Sequence, residues 1–183
     1  MTSAREAVAR FFRSTESFLA LVDGLADDHW RLRPAGEEWS PGETVEHVVL
    51  TNRATLRRLQ RVADAVPMTT VARIPDARIV ERMFHGVPAP PGLAQPTGRF
   101  ATRAEGVTAL ITVRDGVADS VRIEGDRLRD VGFAHPVFGT FDGVQWVLFL
   151  AAHTDNHIPQ LRRLRGALPF PPTRRGRARR RSV

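Results

Sequence analysis

Apolar residues recur at every third or fourth position in four segments of the chain, which is the spacing of one face of an α-helix. The four segments cover about residues 3–24, 40–66, 102–124 and 140–165. No segment shows the alternating pattern of a strand, and the sequence contains no internal repeat. Four long helices in a chain of 183 residues predict an all-α fold, a four-helix bundle.

The second predicted helix has the clearest starting signal, in the sequence WSPGETVEH. Ser40 is a good N-cap, Pro41 suits the first helical position, and Glu43 completes a capping box with Ser40. The following segment, residues 67–101, includes the Pro- and Gly-rich sequence GVPAPPGLAQPTG and predicts an ordered surface loop with a short helix at 77–85. The predicted bundle therefore has a long loop between its second and third helices.

Arginine supplies every fixed positive charge of the side chains, because the sequence contains no lysine, and the net charge is +7. Six of the arginines lie in the last ten residues, RRGRARRRSV, so the remainder of the chain is nearly neutral. We predict a bundle domain at residues 1–168 and a disordered Pro- and Arg-rich tail at 169–183. Such a tail is either simply solvated or attracts nucleic-acid phosphates weakly and without sequence preference.

Several classes of protein are excluded by composition. The chain has no cysteine, which rules out disulfides, thiolate metal ligands and a cysteine nucleophile. No apolar run reaches the ~18 residues of a membrane span, so we expect no membrane association. The first residues, MTSAREAVARFFRS, lack the apolar stretch of a signal peptide, which predicts a cytoplasmic protein.

The fourth predicted helix carries two histidines on its apolar face. His153 and His157 continue a stripe that includes Trp146, Leu150 and Leu161, at helical spacing. Two imidazoles one turn apart on one face point in the same direction and can share a metal ion. The same pattern is also expected for two core histidines that are hydrogen-bonded to their neighbours, and the spacing alone does not decide between these interpretations.

A third ligand would have to come from the remaining histidines, which are His29, His47, His85 and His135. His85 and His135 adjoin prolines in predicted loops, which favours surface positions. His47 lies in the first turns of the second helix, about 140° from the centre of its apolar stripe at ~100° per residue. Periodicity alone therefore predicts that His47 flanks the core or lies at the surface.

Two sequence blocks together resemble the DinB/YfiT-like superfamily of metal-dependent enzymes. The first is WSPGETVEHVV, and the second, about a hundred residues later, is HPVFGTFDGVQWVLFLAAHTDNHIPQLRRL. The resemblance extends over residues 5–165 and leaves the Arg-rich tail outside. It implies a four-helix bundle with a divalent metal ion, commonly nickel or zinc, held by three histidines.

By position, the resemblance assigns the metal ligands to His47, His153 and His157, and so overrides the periodicity of His47. It also implies a homodimer that acts on a small-molecule substrate. Asn52 departs from the apolar pattern of the second helix and is a candidate to face the site.

The sequence around the histidine pair differs from the H-E-x-x-H motif of metalloproteases, because Thr154, Asp155 and Asn156 replace the glutamate base. Asp155 is two residues from His153, about 200° around the helix, and is poorly placed to reach water on the same ion. The superfamily includes enzymes that use a low-molecular-weight thiol, whose pKa a metal ion lowers. We therefore expect an S-transferase or isomerase rather than a metal-dependent hydrolase. The alternatives are a non-catalytic, stress-related metal-binding bundle and a nucleic-acid-associated protein directed by the tail.

Overall fold

A computed structural model describes residues 1–37, 39–84, 92 and 94–168. His85 and the predicted tail at 169–183 lie outside the described residues. Helices dominate the fold, and none of those described is both long and apolar enough to cross a bilayer. The long helices are α1 (Ala4–Val22), α3 (Pro41–Leu59), α5 (Arg103–Glu124) and α6 (Gly143–Ala167), and the short ones are α2 (Asp27–Arg31) and α4 (Asp76–Phe84).

Side-chain caps fix where the long helices begin. Ser40 and Glu43 form the capping box predicted from the sequence, which is confirmed at the start of α3. Ser3 with Glu6 and Asp142 with Gln145 do the same for α1 and α6. Each cap satisfies backbone N–H groups that the first helical turn leaves without an internal partner.

The predicted extension of α3 to Val66 is wrong. The helix ends at Leu59, a 3-10 turn follows at Val62–Asp64, and the chain then enters a strand, β1 (Val66–Pro67). Val66 pairs with Gly132 of a second strand, so tertiary pairing overrides the helical spacing of the apolar residues here. The segment between α3 and α5 is consequently more than a loop, since it contains β1 and α4.

The fold includes a small sheet, so the expectation of a purely α-helical protein is wrong in this respect. Strand β2 (Val131–His135) lies between β1 and β3 (Gly139–Asp142), and both pairings are antiparallel. The strands have only two to five residues, which is too short to show a clear period-two pattern in the sequence. The sheet leads directly into α6, because β3 ends at the N-cap Asp142.

Trp30, expected to anchor a loop, instead lies on α2 and is fully buried in the core. Its indole Nε1 donates to the carbonyl of Phe100 at 2.9 Å. The ring lies against α3 and α5 where both have glycine, and a Cβ at Gly42 or Gly106 would lie 2.6 or 2.5 Å from the indole. The glycine that weakened the helix pattern of α5 is therefore required by a close helix-to-ring contact.

A buried ionic network joins α4 and the start of α6. Arg129 donates to Asp142 and to Asp76, each at 2.8 Å, and also to the carbonyl of Thr2. Arg73 donates to Asp142 at 2.8 Å. Burial would raise the pKa of Asp76, but donors led by Arg129 outweigh it and lower this pKa to about 2. The network holds the start of the helix that carries His153 and His157.

Candidate metal centre

Three histidines converge between α3 and α6. His47 comes from α3, whereas His153 and His157 come from α6, and no two of their donor nitrogens are more than 4.8 Å apart. The Nε2 atoms of His47 and His153 are separated by 3.1 Å. The centroids of the three rings lie 4.8 to 5.0 Å from one another. The structure thus brings together the three histidines selected by the resemblance; their role as metal ligands stays a prediction.

His47 is buried, with 5% of its surface exposed, so the surface position predicted from periodicity is wrong. Helical periodicity locates only the face that points to the centre of the bundle, and His47 is covered by other parts of the chain. The ring of Trp39 lies 4.8 Å from the His47 ring, between centroids. The carbonyl of Ala94, from the segment that leads to α5, contacts its opposite nitrogen.

Hydrogen bonds set the orientation and the proton position of two of the histidines. His47 Nδ1 donates to the carbonyl oxygen of Ala94 at 2.8 Å. His157 Nδ1 donates to Oε1 of Gln160, one turn further along α6, also at 2.8 Å. Because both acceptors require a proton on Nδ1, the Nε2 atoms of both rings carry lone pairs. Metal-binding histidines are commonly oriented in this way.

The third histidine lacks such an orienting partner within the described part of the chain. His153 Nδ1 is buried and has no hydrogen-bond partner there. Neither side-chain polar atom of Asn52 has one, nor does Oγ1 of Thr55, and both residues are fully buried on α3. Buried polar groups in native proteins are nearly always paired, so this cluster departs from normal core packing. Asn52 is buried as its sequence pattern indicated.

The three imidazoles are neutral at physiological pH. Burial lowers the pKa of His47, and the Ala94 carbonyl opposes this only in part. Burial, with a further contribution from His47, lowers the pKa of His157 to about 4. Burial and the neighbouring histidines hold the pKa of His153 well below its ordinary value. No proton therefore has to be removed from an imidazolium before these nitrogens can bind a cation.

The donor set fits a divalent metal ion. A tetrahedral zinc ion with metal–nitrogen bonds of about 2.0–2.1 Å keeps its ligand atoms about 3.3 Å apart. The 3.1 Å separation of the His47 and His153 nitrogens matches this spacing, and the widest separation, 4.8 Å, closes with small ring movements. Neutral imidazole suits zinc and nickel alike. No aspartate or glutamate of the described residues joins the group.

Asp155 lies on a different side of α6, as its position in the sequence predicts. Its carboxylate is 4.0 Å from the guanidinium of Arg10 on α1. There it lines a surface depression of about 280 Å³ together with α1 residues. It is thus directed to α1 and not to the histidines. The lining residues are Arg10, Arg13, Ser14, Ser17 and Asp155.

His135 is not the surface histidine that its loop-like sequence predicts. It ends β2, and its Nδ1 accepts hydrogen bonds from the backbone amides of Val137 and Phe138. Burial, and to a lesser degree the charge of Arg58, lowers its pKa to about 4. Its ring packs against four aromatic rings, with centroids at 4.7 to 5.1 Å, which are those of Phe138, Phe141, Trp146 and Phe149.

Several residues around the centre were not identified from the sequence as part of it. Trp39, interpreted as a packing residue, borders the His47 ring and lies 6.5 Å from the His157 ring. Gln160 could have been found from its spacing, since it follows His157 by three positions on one helical face. No local signal marks Ala94, because its contact with His47 joins positions 47 residues apart. Trp146 packs in the core as predicted and donates to the carbonyl of Phe133 at 3.1 Å.

Fold and site together define a four-helix bundle protein with a candidate three-histidine metal centre between two of its long helices. The chain belongs to the DinB superfamily, whose sequence profile matches residues 10–161, as the two blocks suggested. It is 24% identical over 145 residues to the uncharacterized protein YuaE of Bacillus subtilis (strain 168), covering 79% of this chain and 88% of YuaE. The solved structure of TT2238, described as a four-helix bundle protein, has a TM-score of 0.56, with 23% identity over 86% of this chain and 96% of that one. This second likeness concerns the fold alone.

Proposed function

We propose that this protein is a metal-dependent enzyme that holds one divalent ion, nickel or zinc, with His47, His153 and His157. One observation carries the proposal above all others. The Nδ1 atoms of His47 and His157 are committed to carbonyl-type acceptors, so their Nε2 lone pairs are available for a shared ion beside His153. A core histidine pair with a purely structural role does not need a third buried histidine at this distance.

The reaction class that we propose is transfer or isomerisation on a small molecule that involves a low-molecular-weight thiol. A divalent ion bound by three neutral imidazoles retains its full charge and supplies Lewis acidity, which lowers the pKa of a thiol at an open position. Thiol activation of this kind needs no general base from the protein. Hydrolysis usually does, and Asp155, the nearest carboxylate along α6, is directed to Arg10.

The protein's own residues supply orientation and exclusion of water. Ala94 and Gln160 hold the rings of His47 and His157 in fixed orientations. The indole of Trp39 covers one side of these two rings and presents an apolar surface beside the donor nitrogens. A substrate that enters beside Trp39 therefore meets an apolar wall, which suits an uncharged, partly apolar small molecule.

Metal analysis of untagged protein tests the proposal. We expect about one nickel or zinc ion per chain, and loss of this ion in His153→Ala and in His157→Ala. Titration of the cobalt-substituted protein with β-mercaptoethanol should then produce a thiolate-to-metal absorption band. Protein that stays metal-free in the presence of either ion would contradict the metal site, and a loaded protein that shows no thiol band would contradict only the thiol reaction.

A further inference from the structure

We propose that Glu46 is a positioning residue for His47, and that it acts through residues 94–99 without contacting the ligand set. The inference rests on the proposed metal site for its functional meaning, although its structural part does not require a metal ion. Glu46 directly precedes His47 on α3, and only 1% of it is exposed. Its carboxylate is the point at which this connecting segment is attached to the helix.

The carboxylate of Glu46 is fully used by the segment. Three consecutive backbone amides donate to it, from Thr97 at 3.1 Å, Gly98 at 2.7 Å and Arg99 at 3.0 Å. The hydroxyl of Thr97 donates at 3.0 Å, and the guanidinium Nε of Arg99 lies 3.5 Å away. A carboxylate can be buried only when its charge is satisfied in this way, so Glu46 and the segment depend on each other.

The segment in turn presents the acceptor for His47. Ala94 has a backbone φ of +52°, a left-handed conformation that residues with a side chain rarely adopt. Such a conformation persists only where the surrounding structure holds it. Glu46 supplies this hold three residues further on, and the Ala94 carbonyl lies 2.8 Å from His47 Nδ1. Neighbouring positions on α3 therefore provide the anchor of the segment and the group that the segment orients.

The consequence is that Glu46 determines which nitrogen of His47 carries the proton. With the segment attached, Nδ1 donates to Ala94 and Nε2 keeps its lone pair toward His153. Without the anchor, the carbonyl is no longer fixed opposite Nδ1, and the two neutral tautomers of the imidazole become mixed. Metal affinity would then decrease although no ligand has been removed.

Glu46→Gln tests this directly, because the amide keeps the size of the side chain but loses the charge and one acceptor. In the metal-free protein, ¹⁵N NMR of the imidazole should show His47 changing from the Nδ1–H form to a mixture. Hydrogen exchange of the Thr97 to Arg99 amides should accelerate. Affinity for nickel or zinc should decrease by about 10 to 100-fold, as for other residues that orient a ligand.

Glu43→Gln is the matched control, since Glu43 lies one turn earlier on α3 and contacts Ser40 and Arg33 instead. It should leave the His47 tautomer and the exchange of the segment unchanged. An unchanged tautomer in Glu46→Gln overturns the inference, whatever the metal affinity. A changed tautomer in a protein that binds no metal supports the positioning role and contradicts the proposed function. If Glu46→Gln does not fold, Thr97→Val removes one donor to Glu46, and an unchanged His47 tautomer in that variant also overturns the inference.

Discussion

The Nε2 atoms of His47 and His153 face each other at 3.1 Å across the interface of α3 and α6. Since the Ala94 carbonyl keeps a proton on Nδ1 of His47, the Nε2 of this ring can only accept. In the metal-free protein, the shared hydrogen bond must therefore be donated by Nε2–H of His153. A metal ion between the two rings requires a lone pair at that same atom.

This arrangement predicts a change of tautomer at His153 when the metal ion binds. The proton should be on Nε2 in the metal-free protein and on Nδ1 in the loaded protein, whereas His47 should stay in its Nδ1–H form throughout. Imidazole ¹⁵N shifts recorded before and after addition of one equivalent of zinc give the answer. A His153 ring that already carries its proton on Nδ1 in the metal-free protein would contradict the prediction.

Replacement of His47 separates the metal centre from a structural histidine cluster. His47→Ala should weaken zinc or nickel binding by much more than the ~10 to 100-fold seen for residues that only orient a ligand. His29→Ala is the control, because His29 lies on α2 and is not part of the triad. We expect calorimetric titration to show normal binding for this control. Equal affinities for the two variants would remove His47 from the ligand set.

The unpaired polar groups of α3 predict a gain in stability when they are replaced. Asn52→Leu and Thr55→Val should each raise the free energy of unfolding, by about 1–3 kcal/mol for an unpaired buried group. Thr15→Val is the matched control, since Thr15 is equally buried but its hydroxyl donates to the carbonyl of Phe11 at 2.9 Å. Urea unfolding of the metal-free proteins measures the differences. Destabilisation in Thr55→Val as large as in Thr15→Val would show that Thr55 has a partner after all.

The neutral His135 predicts a loss of stability in acid. Its pKa is about 4 in the folded protein and ~6.5 in an unfolded chain, so between these values the unfolded state binds a proton that the native state does not. The stability contribution is thus complete above pH ~6.5 and decreases as the pH falls toward 4, by at most about 1.4 kcal/mol per pH unit. His135→Asn keeps an acceptor for the amides of Val137 and Phe138 but cannot titrate. Denaturant unfolding at pH 7.5 and 5 should show a smaller decrease for this variant than for the parent, and equal decreases would count against it.

Two glycines of the helices should respond in opposite directions to the same substitution. Gly106→Ala places a Cβ 2.5 Å from the buried indole of Trp30 and should destabilise the fold by about 1–3 kcal/mol. Gly166→Ala, near the end of α6, meets no atom within 4 Å and should stabilise it by about 0.5–1 kcal/mol. Each kcal/mol corresponds to a shift of about 2–4 °C in Tm for a domain of this size. Similar shifts for both variants would show that the contact with Trp30 is not tight.

The sequence was sufficient for features that depend on local spacing. The long helices, the capping box at Ser40 and the adjacent pair His153 and His157 all follow from periodicity within one segment. The sheet did not follow, because pairing Val66 with Gly132 joins segments far apart in the chain, and neither strand is long enough to signal itself. The burial of His47 failed for a related reason. What covers it comes from Trp39 and Ala94, and helical periodicity carries no information about either.

The separation of the three histidines along the chain governs when the site can form during synthesis. His47 precedes His153 by 106 positions, and the ribosome releases α6 only after the other long helices. A nascent chain that has completed α5 holds just one of the three imidazoles and has little means of retaining an ion. Metal acquisition is therefore coupled to the docking of the last long helix, and an ion bound by all three histidines marks a bundle whose assembly is complete.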